Sequence, residues 1–343
     1  MVNSLKRHAY GAVSALLIAL VSIMWAVPLN GAAHLSERGA VETRRSIGAQ
    51  STNRDAASPA RERGVTRFAG TLPRAVRLRE NRGRGLMIQV WINGTGVYSF
   101  AVDTGAGATI ISERVARAAN VEFGRGRATV MTGMSGMGSA AGREARVRSL
   151  AIGDERNLLP SQGAVVVTNG LPPDLDGVLD PTEGFWPLGY SIDMRRGELS
   201  AFDPRTTPLR AGDAPRGGAV VQWVFERGSR RPFVMLDGGR RALIDTGSEF
   251  GLAISESASV GGIINAGRMG RDRDGVRDIA GGRISARRVA PTTIQIGSLV
   301  LRSVPTDLLS GVVDGSPILL GREALQPFYL SFDPLHRLIL ITP

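Results

Sequence analysis

From residue 85 onward apolar and polar positions alternate with a period of two. Leu86, Ile88, Val90 and Ile92 fall on one face of an extended segment and Met87, Gln89 and Trp91 on the other, which predicts a strand. Asn93-Gly94 follows, the dipeptide of a tight hairpin turn. Residues 97–102 return as a second apolar strand that runs straight into Asp103-Thr104-Gly105-Ala106. Residues 109–111 predict a further short strand, and Ser112 is placed to cap a short helix over 113–119 that Asn120 ends.

The plan recurs later in the chain. Residues 233–236 predict a strand, Asp237-Gly238-Gly239 a turn, and 241–244 the strand that leads into Asp245-Thr246-Gly247-Ser248. Residues 252–254 then match 109–111, one position further from the acid, and Ser255 takes the place of Ser112. The tails match as well: 147–153 parallels 293–297, and the segment from Tyr190 to Leu199 parallels that from Tyr329 to Leu340. An internal repeat of about 120 to 140 residues made of short strands and turns predicts two related β-domains. Their expected bounds are 85–202 and 219–343, joined by a linker, 203–218, that is rich in Pro, Gly and Arg and lacks apolar periodicity.

The N-terminal part reads differently. Residues 9–27 hold no charge, follow Lys6 and Arg7, and end at Pro28; as a helix they would rise about 28 Å, enough to cross a bilayer core. Residues 1–33 are therefore expected to be either a signal peptide, cleaved near the small residues Gly31 and Ala33, or a retained membrane anchor. Lys6 and Arg7 favour a cytoplasmic N-terminus, so the body is expected on the exported side, periplasmic or extracellular, and membrane-anchored or secreted. Residues 34–84 carry twelve arginines against five acids and few apolar residues, which predicts a disordered arm.

Composition narrows the chemistry. The chain has 343 residues, 43% of them hydrophobic, enough for a sizeable core. It contains no cysteine, which excludes disulfides, thiolate metal sites and a cysteine nucleophile. Of three histidines, His8 and His34 precede the predicted folded body, and His336 alone makes neither a zinc site nor a Ser/His/Asp triad. No metal and no cofactor are expected. The net charge of +11 raises nucleic acid as a partner. Much of that charge lies in the arm, without interleaved stacking aromatics, so no nucleic acid is expected. What remains is carboxylate chemistry. Two carboxylates held close cannot both ionise; the ionised one activates a water while the protonated one polarises a carbonyl.

These residues resemble the aspartic protease clan, whose signature is a hydrophobic residue, Asp-Thr-Gly, then Ala or Ser, joined later by a hydrophobic-hydrophobic-Gly segment. Both loops fit it: Val102-Asp103-Thr104-Gly105-Ala106 and Ile244-Asp245-Thr246-Gly247-Ser248. The later segment in the second half is Ile318-Leu319-Leu320-Gly321-Arg322-Glu323-Ala324-Leu325, similar to the retropepsin-like version. The resemblance covers roughly 85–343. It implies an all-β fold of two acid-protease-type β-barrel lobes facing a cleft, single-chain and monomeric. It implies that Asp103 and Asp245 are a catalytic dyad, that Thr104 and Thr246 form a cross-braced grip, and that the partner is a peptide or protein substrate. It also implies a flap, matched in the first lobe by Met131, Gly133, Met134, Gly136 and Met137, with a poorer match in the second at 279–285.

Two departures stand out. Where the second lobe has Leu320-Gly321, the first has Leu179-Asp180, so an acid occupies the expected glycine and the packing of that segment under the Asp103 loop is an open question. Close to the dyad, Asp180 would raise its apparent pKa values; otherwise Asp180-Pro181 is a turn in a plain loop. Ser248 stands where the first loop has Ala106; a hydroxyl donating to Asp245 would make Asp245 the charged member. The expected function is an aspartic endopeptidase. The alternative is a catalytically inactive peptide-binding relative of the same fold. A glycosidase with paired carboxylates would need a stacking sugar platform, which an aromatic content of 5% does not suggest.

Overall fold

Two long sheets, one from each half of the repeat, run through the same strand order. The computed structural model describes residues 22–24, 70–133, 139–161, 163–226, 229–259, 270–273 and 282–343. It is mostly β, and residues 71–343 with Ser22–Met24 belong to one compact unit. In the first half the order is Gly85–Ile92, Thr95–Val102, Gly177–Leu179, Ile110–Ser112, Ala164–Thr168, Ser139–Arg146 and Ala128–Thr132. In the second it is Ser229–Met235, Arg241–Asp245, Ile318–Gly321, Leu252–Ser255, Leu299–Ser310, Ser285–Ile296 and Arg271–Arg273. Each neighbouring pair keeps its sense, parallel or antiparallel, in both halves.

This order places the acid loops. In each half a late strand, Gly177–Leu179 or Ile318–Gly321, inserts between the two strands that the Asp loop connects. The loop must arch over the end of the inserted strand, so the residue leaving that strand lies beneath it. Local signals agree with the chain path. Asn93 and Gly94 both have positive φ (54° and 76°), the backbone that a two-residue hairpin turn demands. Ser112 Oγ accepts from Val115 N at 3.2 Å and starts the helix Glu113–Ala118, which Asn120 (φ 52°) closes.

A third, six-stranded sheet takes strands from both halves. Gly189–Asp193 and Tyr329–Asp333, matching tail segments of the repeat, lie side by side and antiparallel at its centre, with Ser191 opposite Ser331 and their hydroxyls 2.7 Å apart. Equivalent residues facing each other define a local two-fold axis. Around it the rings of Phe185, Tyr190 and Phe332 stack, with Tyr190 and Phe332 centroids 4.6 Å apart, and Trp223 meets Phe332 edge-on. All four side chains are fully buried, and each contributes about 2 kcal/mol or more by leaving water.

Two expectations are corrected. The arm expected over 34–84 is not irregular to its end: Val76–Arg77 and Arg79–Asn81 are strands, the first in the six-stranded sheet and the second beside Gly85–Ile92. The reason is a local alternation hidden by the arginine bias, since Val76 packs on Gly153 and Leu78 is buried while the flanking arginines point out. Within the stretch expected as an N-terminal helix, Ser22–Met24 is a strand, paired antiparallel with Ala128–Thr132. An edge strand offers unpaired backbone groups that an extended segment can satisfy. The rest of 9–27, and 34–69, lie outside the described residues. Among the described residues no helix is long and apolar enough to cross a membrane.

Candidate active site

Strands Thr95–Val102 and Arg241–Asp245 deliver Asp103 and Asp245 to the same point in the interior, both at 0% exposure. Asp103 Oδ1 accepts from Gly105 N at 2.7 Å. Asp245 Oδ1 accepts from Gly247 N at 2.9 Å and Ser248 N at 3.0 Å. The two carboxylates converge on Gly105, where an added Cβ would stand 3.1 Å from Asp245 Oδ1 and 3.2 Å from Asp103 Oδ1, yet among the described residues no donor meets the buried outer oxygen of either, Asp103 Oδ2 or Asp245 Oδ2. A buried carboxylate pair with two orphan oxygens is satisfied by one shared proton.

The loops are tied across the two-fold. Thr104 N donates to Thr246 Oγ1 (3.2 Å) and Thr246 N to Thr104 Oγ1 (3.1 Å). Each hydroxyl then donates onward across the axis, Thr104 Oγ1 to Ile244 O (2.6 Å) and Thr246 Oγ1 to Val102 O (3.2 Å). The glycines that follow are required for space rather than for unusual φ. A Cβ on Gly247 would stand 2.4 Å from Asp103 Cγ, and one on Gly105 would stand 2.9 Å from Asp245 Cγ. Each glycine thus lets the opposite carboxylate approach.

Burial raises the pKa of both acids above the ordinary carboxylate range. For Asp245 the neighbouring charge of Asp103 adds to the rise, which is large. For Asp103 the rise is opposed by the bond to Asp245, by the Gly105 amide, and by the charges of Arg231 and Arg322. The pair titrates as a unit. The Ser248 hydroxyl, expected to donate to Asp245, does not do so. Ser248 Oγ instead accepts from Phe250 N at 3.3 Å, and it is the Ser248 amide that reaches the carboxylate. The second loop is one residue longer, and its hydroxyl is used to hold that extra turn.

The supporting segments answer the open question about Asp180. Leu179 lies opposite Val102 in parallel register, as Leu320 lies opposite Ile244, so Asp180 takes the position of Gly321. A Cβ at Gly321 would meet Phe250 O at 2.4 Å and Ser248 O at 2.8 Å. The shorter first loop leaves room for a side chain there. Asp180 is buried, its amide donates to Thr109 Oγ1 (3.3 Å), and its Oδ1 accepts from Thr182 N (2.8 Å) as the cap of the helix Pro181–Phe185. The acid has therefore become a helix cap without displacing the supporting strand.

Two site residues carried no recognised signal in the sequence. Arg322, 6% exposed, donates from Nη1 to Thr246 O (2.9 Å) and Gly247 O (3.0 Å) and lies 3.5 Å from Glu249. Its place directly after Gly321 was visible in the chain, but its reach back to the loop carbonyls was not. Arg231 lies against Gly107 of the first loop, where a Cβ would stand 2.8 Å from its Nε; nothing near it in sequence marks it.

Of the expected flap residues, Met131 is 2% exposed and packs with Ala106 and Ile110 in the core beneath the hairpin, so it anchors the base of the hairpin. Gly133 follows the strand Ala128–Thr132, while Met134, Gly136 and Met137 lie outside the described residues, as do 279–281 of the second candidate. A cavity of about 560 Å³ opens beside the first loop, bordered by Gly107, Ala108, Thr109, Glu144, Val166 and Glu183. Among the described residues no group of three or more His, Asp or Glu is placed to hold a metal ion.

Residues 88–179 match the aspartyl protease family model. The matched span contains the Asp103 loop and ends at Leu179, so Asp245 and the second half lie beyond it. No curated protein matches the chain.

Proposed function

We propose that the chain is an aspartic endopeptidase that hydrolyses peptide bonds with a water activated between Asp103 and Asp245. The observation that carries this is the pair of wholly buried carboxylates from matching loops, with both outer oxygens unpaired. The aspartyl protease match over 88–179 supports it.

In this reading the ionised aspartate takes a proton from the water as its oxygen attacks the peptide carbonyl carbon, and the protonated aspartate gives its proton to the carbonyl oxygen. The resulting gem-diol collapses when the first aspartate returns its proton to the amide nitrogen and the second recovers one from a hydroxyl. The carbon–nitrogen bond breaks, acid and amine leave, and the pair again holds one proton. Fixed loop amides and the doubled threonine tie keep both carboxylates in place, so little reorganisation accompanies the step. The substrate would lie extended between the halves, with the cavity beside Gly107 as room for one of its side chains. The feature that favoured peptide binding without turnover, an acid at the Gly321 position, loses its force because the supporting strand keeps its register.

The test is cleavage of a peptide library by the purified protein. Pepstatin-sensitive cleavage, abolished in both Asp103→Asn and Asp245→Asn, is expected. Cleavage that survives in either variant would overturn the dyad. Lys6, Arg7 and the apolar stretch 9–27 support an exported body. Mass spectrometry of the N-terminus in membrane and soluble fractions decides between signal and anchor.

A further inference from the structure

The two halves differ in what occupies one matching place beside their acid loops. Val178 lies opposite Ile110 and Leu319 opposite Ala253, so Ile110 and Ala253 are equivalent. Their parallel neighbours, Val166 and Asp307, are then equivalent too, as are Glu144 and Arg288, which face those two from the next strand. The hairpin glycines agree: a Cβ at Gly126 would run into Glu144 O, and one at Gly270 would stand 2.5 Å from Arg288 O.

In the second half that place is full. Arg288 Nε donates to Asp307 Oδ1 at 3.0 Å, its Nη atoms donate to Glu323 at 3.1 and 2.7 Å, and Arg273 Nη1 donates to Asp307 Oδ2 at 3.2 Å. Asp307 is wholly buried. A cavity of about 530 Å³ in this half lies instead against Glu80, Arg82, Glu249 and Arg322. An apolar side chain placed there would strip water from ions and gain little.

In the first half the place is open. Val166 has no acceptor to hold an arginine, and the cavity of about 560 Å³ stands beside it. Its floor is apolar, since Val166 belongs to the core cluster around Ala106 and Ile110, and Ala108 packs against that cluster. The charged residues on its border are two arginines, Arg127 and Arg146, and two acids, Glu144 and Glu183. Glu183 is already paired with Arg230 at 3.0 Å. A charge of either sign entering the cavity would leave water without a net opposite charge to meet it.

We propose that the first-half cavity is a subsite for one bulky, uncharged apolar side chain of the peptide, with Ala108 and Val166 as the residues that determine it. The two-fold sets the matching place on the other side of the dyad, and Asp307 with its arginines fills it, so side-chain selection is one-sided. A phenylalanine side chain that leaves water for this floor gains enough for a preference of about tenfold or more over alanine.

The proposal rests on the peptidase reading for its effect on cleavage but not for the binding itself. Mass spectrometry of a digested peptide library reads the first. Phe, Leu, Met and Trp are expected to be enriched about tenfold or more over Ala, Asp and Lys at one position flanking the cut bond, and not at the position across it. Ala108→Phe, which fills the cavity from its floor, should remove that enrichment. Equal enrichment on both sides of the bond, or enrichment that survives in a folded Ala108→Phe protein, overturns the proposal. The second measurement needs neither turnover nor a variant. Methyl resonances of Ala108 and Val166 in the wild-type protein are followed as N-acetyl-phenylalanine amide, or its lysine or glutamate counterpart, is added. Shifts with the phenylalanine probe alone are expected; no shift, or shifts of equal size with a charged probe, refutes the subsite. Shifts in a protein that cleaves no peptide would sink the peptidase reading and leave the subsite standing.

Discussion

Thr104 and Thr246 are bonded to each other twice, each backbone amide donating to the other's hydroxyl at 3.2 and 3.1 Å in an interior that water does not reach. Removing one hydroxyl leaves a buried amide and a buried carbonyl without partners. Thr246→Ala should therefore lower stability by about 1 to 3 kcal/mol in urea unfolding, whereas Thr246→Ser, which keeps the oxygen, should stay close to wild type. Equal losses in both variants would show that the methyl, not the hydroxyl, matters.

The glycines predict an order of severity. A methyl at Gly247 would press on Asp103 Cγ at 2.4 Å, while one at Gly105 would sit 2.9 Å from Asp245 Cγ. Displacing a reacting group by about 1 Å is enough to lose roughly 100-fold in rate. Gly247→Ala should thus lose at least that much in kcat/KM, and more than Gly105→Ala. The reverse order in steady-state kinetics would contradict the packing.

Arg322 holds two carbonyls of the Asp245 loop from one guanidinium. Arg322→Met should leave both buried and unpaired, lowering stability by on the order of 2 to 4 kcal/mol. Lys at this position supplies a point charge that does not span both carbonyls and Glu249. Recovery of wild-type stability and activity by Arg322→Lys would mean that charge alone is what the site uses.

Charge and hydroxyl separate in the pH profile. Arg231 lowers the pKa of Asp103, so Arg231→Gln should move the acidic limb of activity to higher pH. Ser248 Oγ faces Phe250 N rather than the carboxylate, so Ser248→Ala should leave that limb in place. A shift in the serine variant alone would reverse the assignment.

The buried acids also make stability depend on pH. Folded-state pKa values of Asp103 and Asp245 are raised, so between the unfolded value near 3.9 and the folded values the native state binds more protons than the unfolded chain. Stability is greatest below the unfolded pKa and falls as pH rises through the folded one. Asp245→Asn should therefore melt higher than wild type at neutral pH, with the difference shrinking toward about pH 4. A Tm difference that does not change with pH would place the effect elsewhere.

Much of this was legible in the chain. Period-two alternation from Leu86, the Asn93-Gly94 turn, the Ser112 cap and the repeated Asp-Thr-Gly loops are local features, set by backbone preference and by which face of a strand must be dry. The short strands Val76–Arg77 and Arg79–Asn81 were missed because a half-buried Val76 and a buried Leu78 are a weak signal among arginines.

The sequence by itself determined that two like segments exist and that each ends an apolar strand in an acid. Tertiary structure decided what surrounds those acids. Arg231 reaches Gly107, Arg322 reaches the carbonyls of Thr246 and Gly247, and Asp180 slips into the place of a glycine because the facing loop is one residue shorter. Ser248, close to Asp245 in sequence, turns its hydroxyl to Phe250 N instead of the carboxylate. The physical reason is that side-chain reach, burial and the field at a buried carboxyl depend on distances through space, and chain order fixes those only once the strands have been paired.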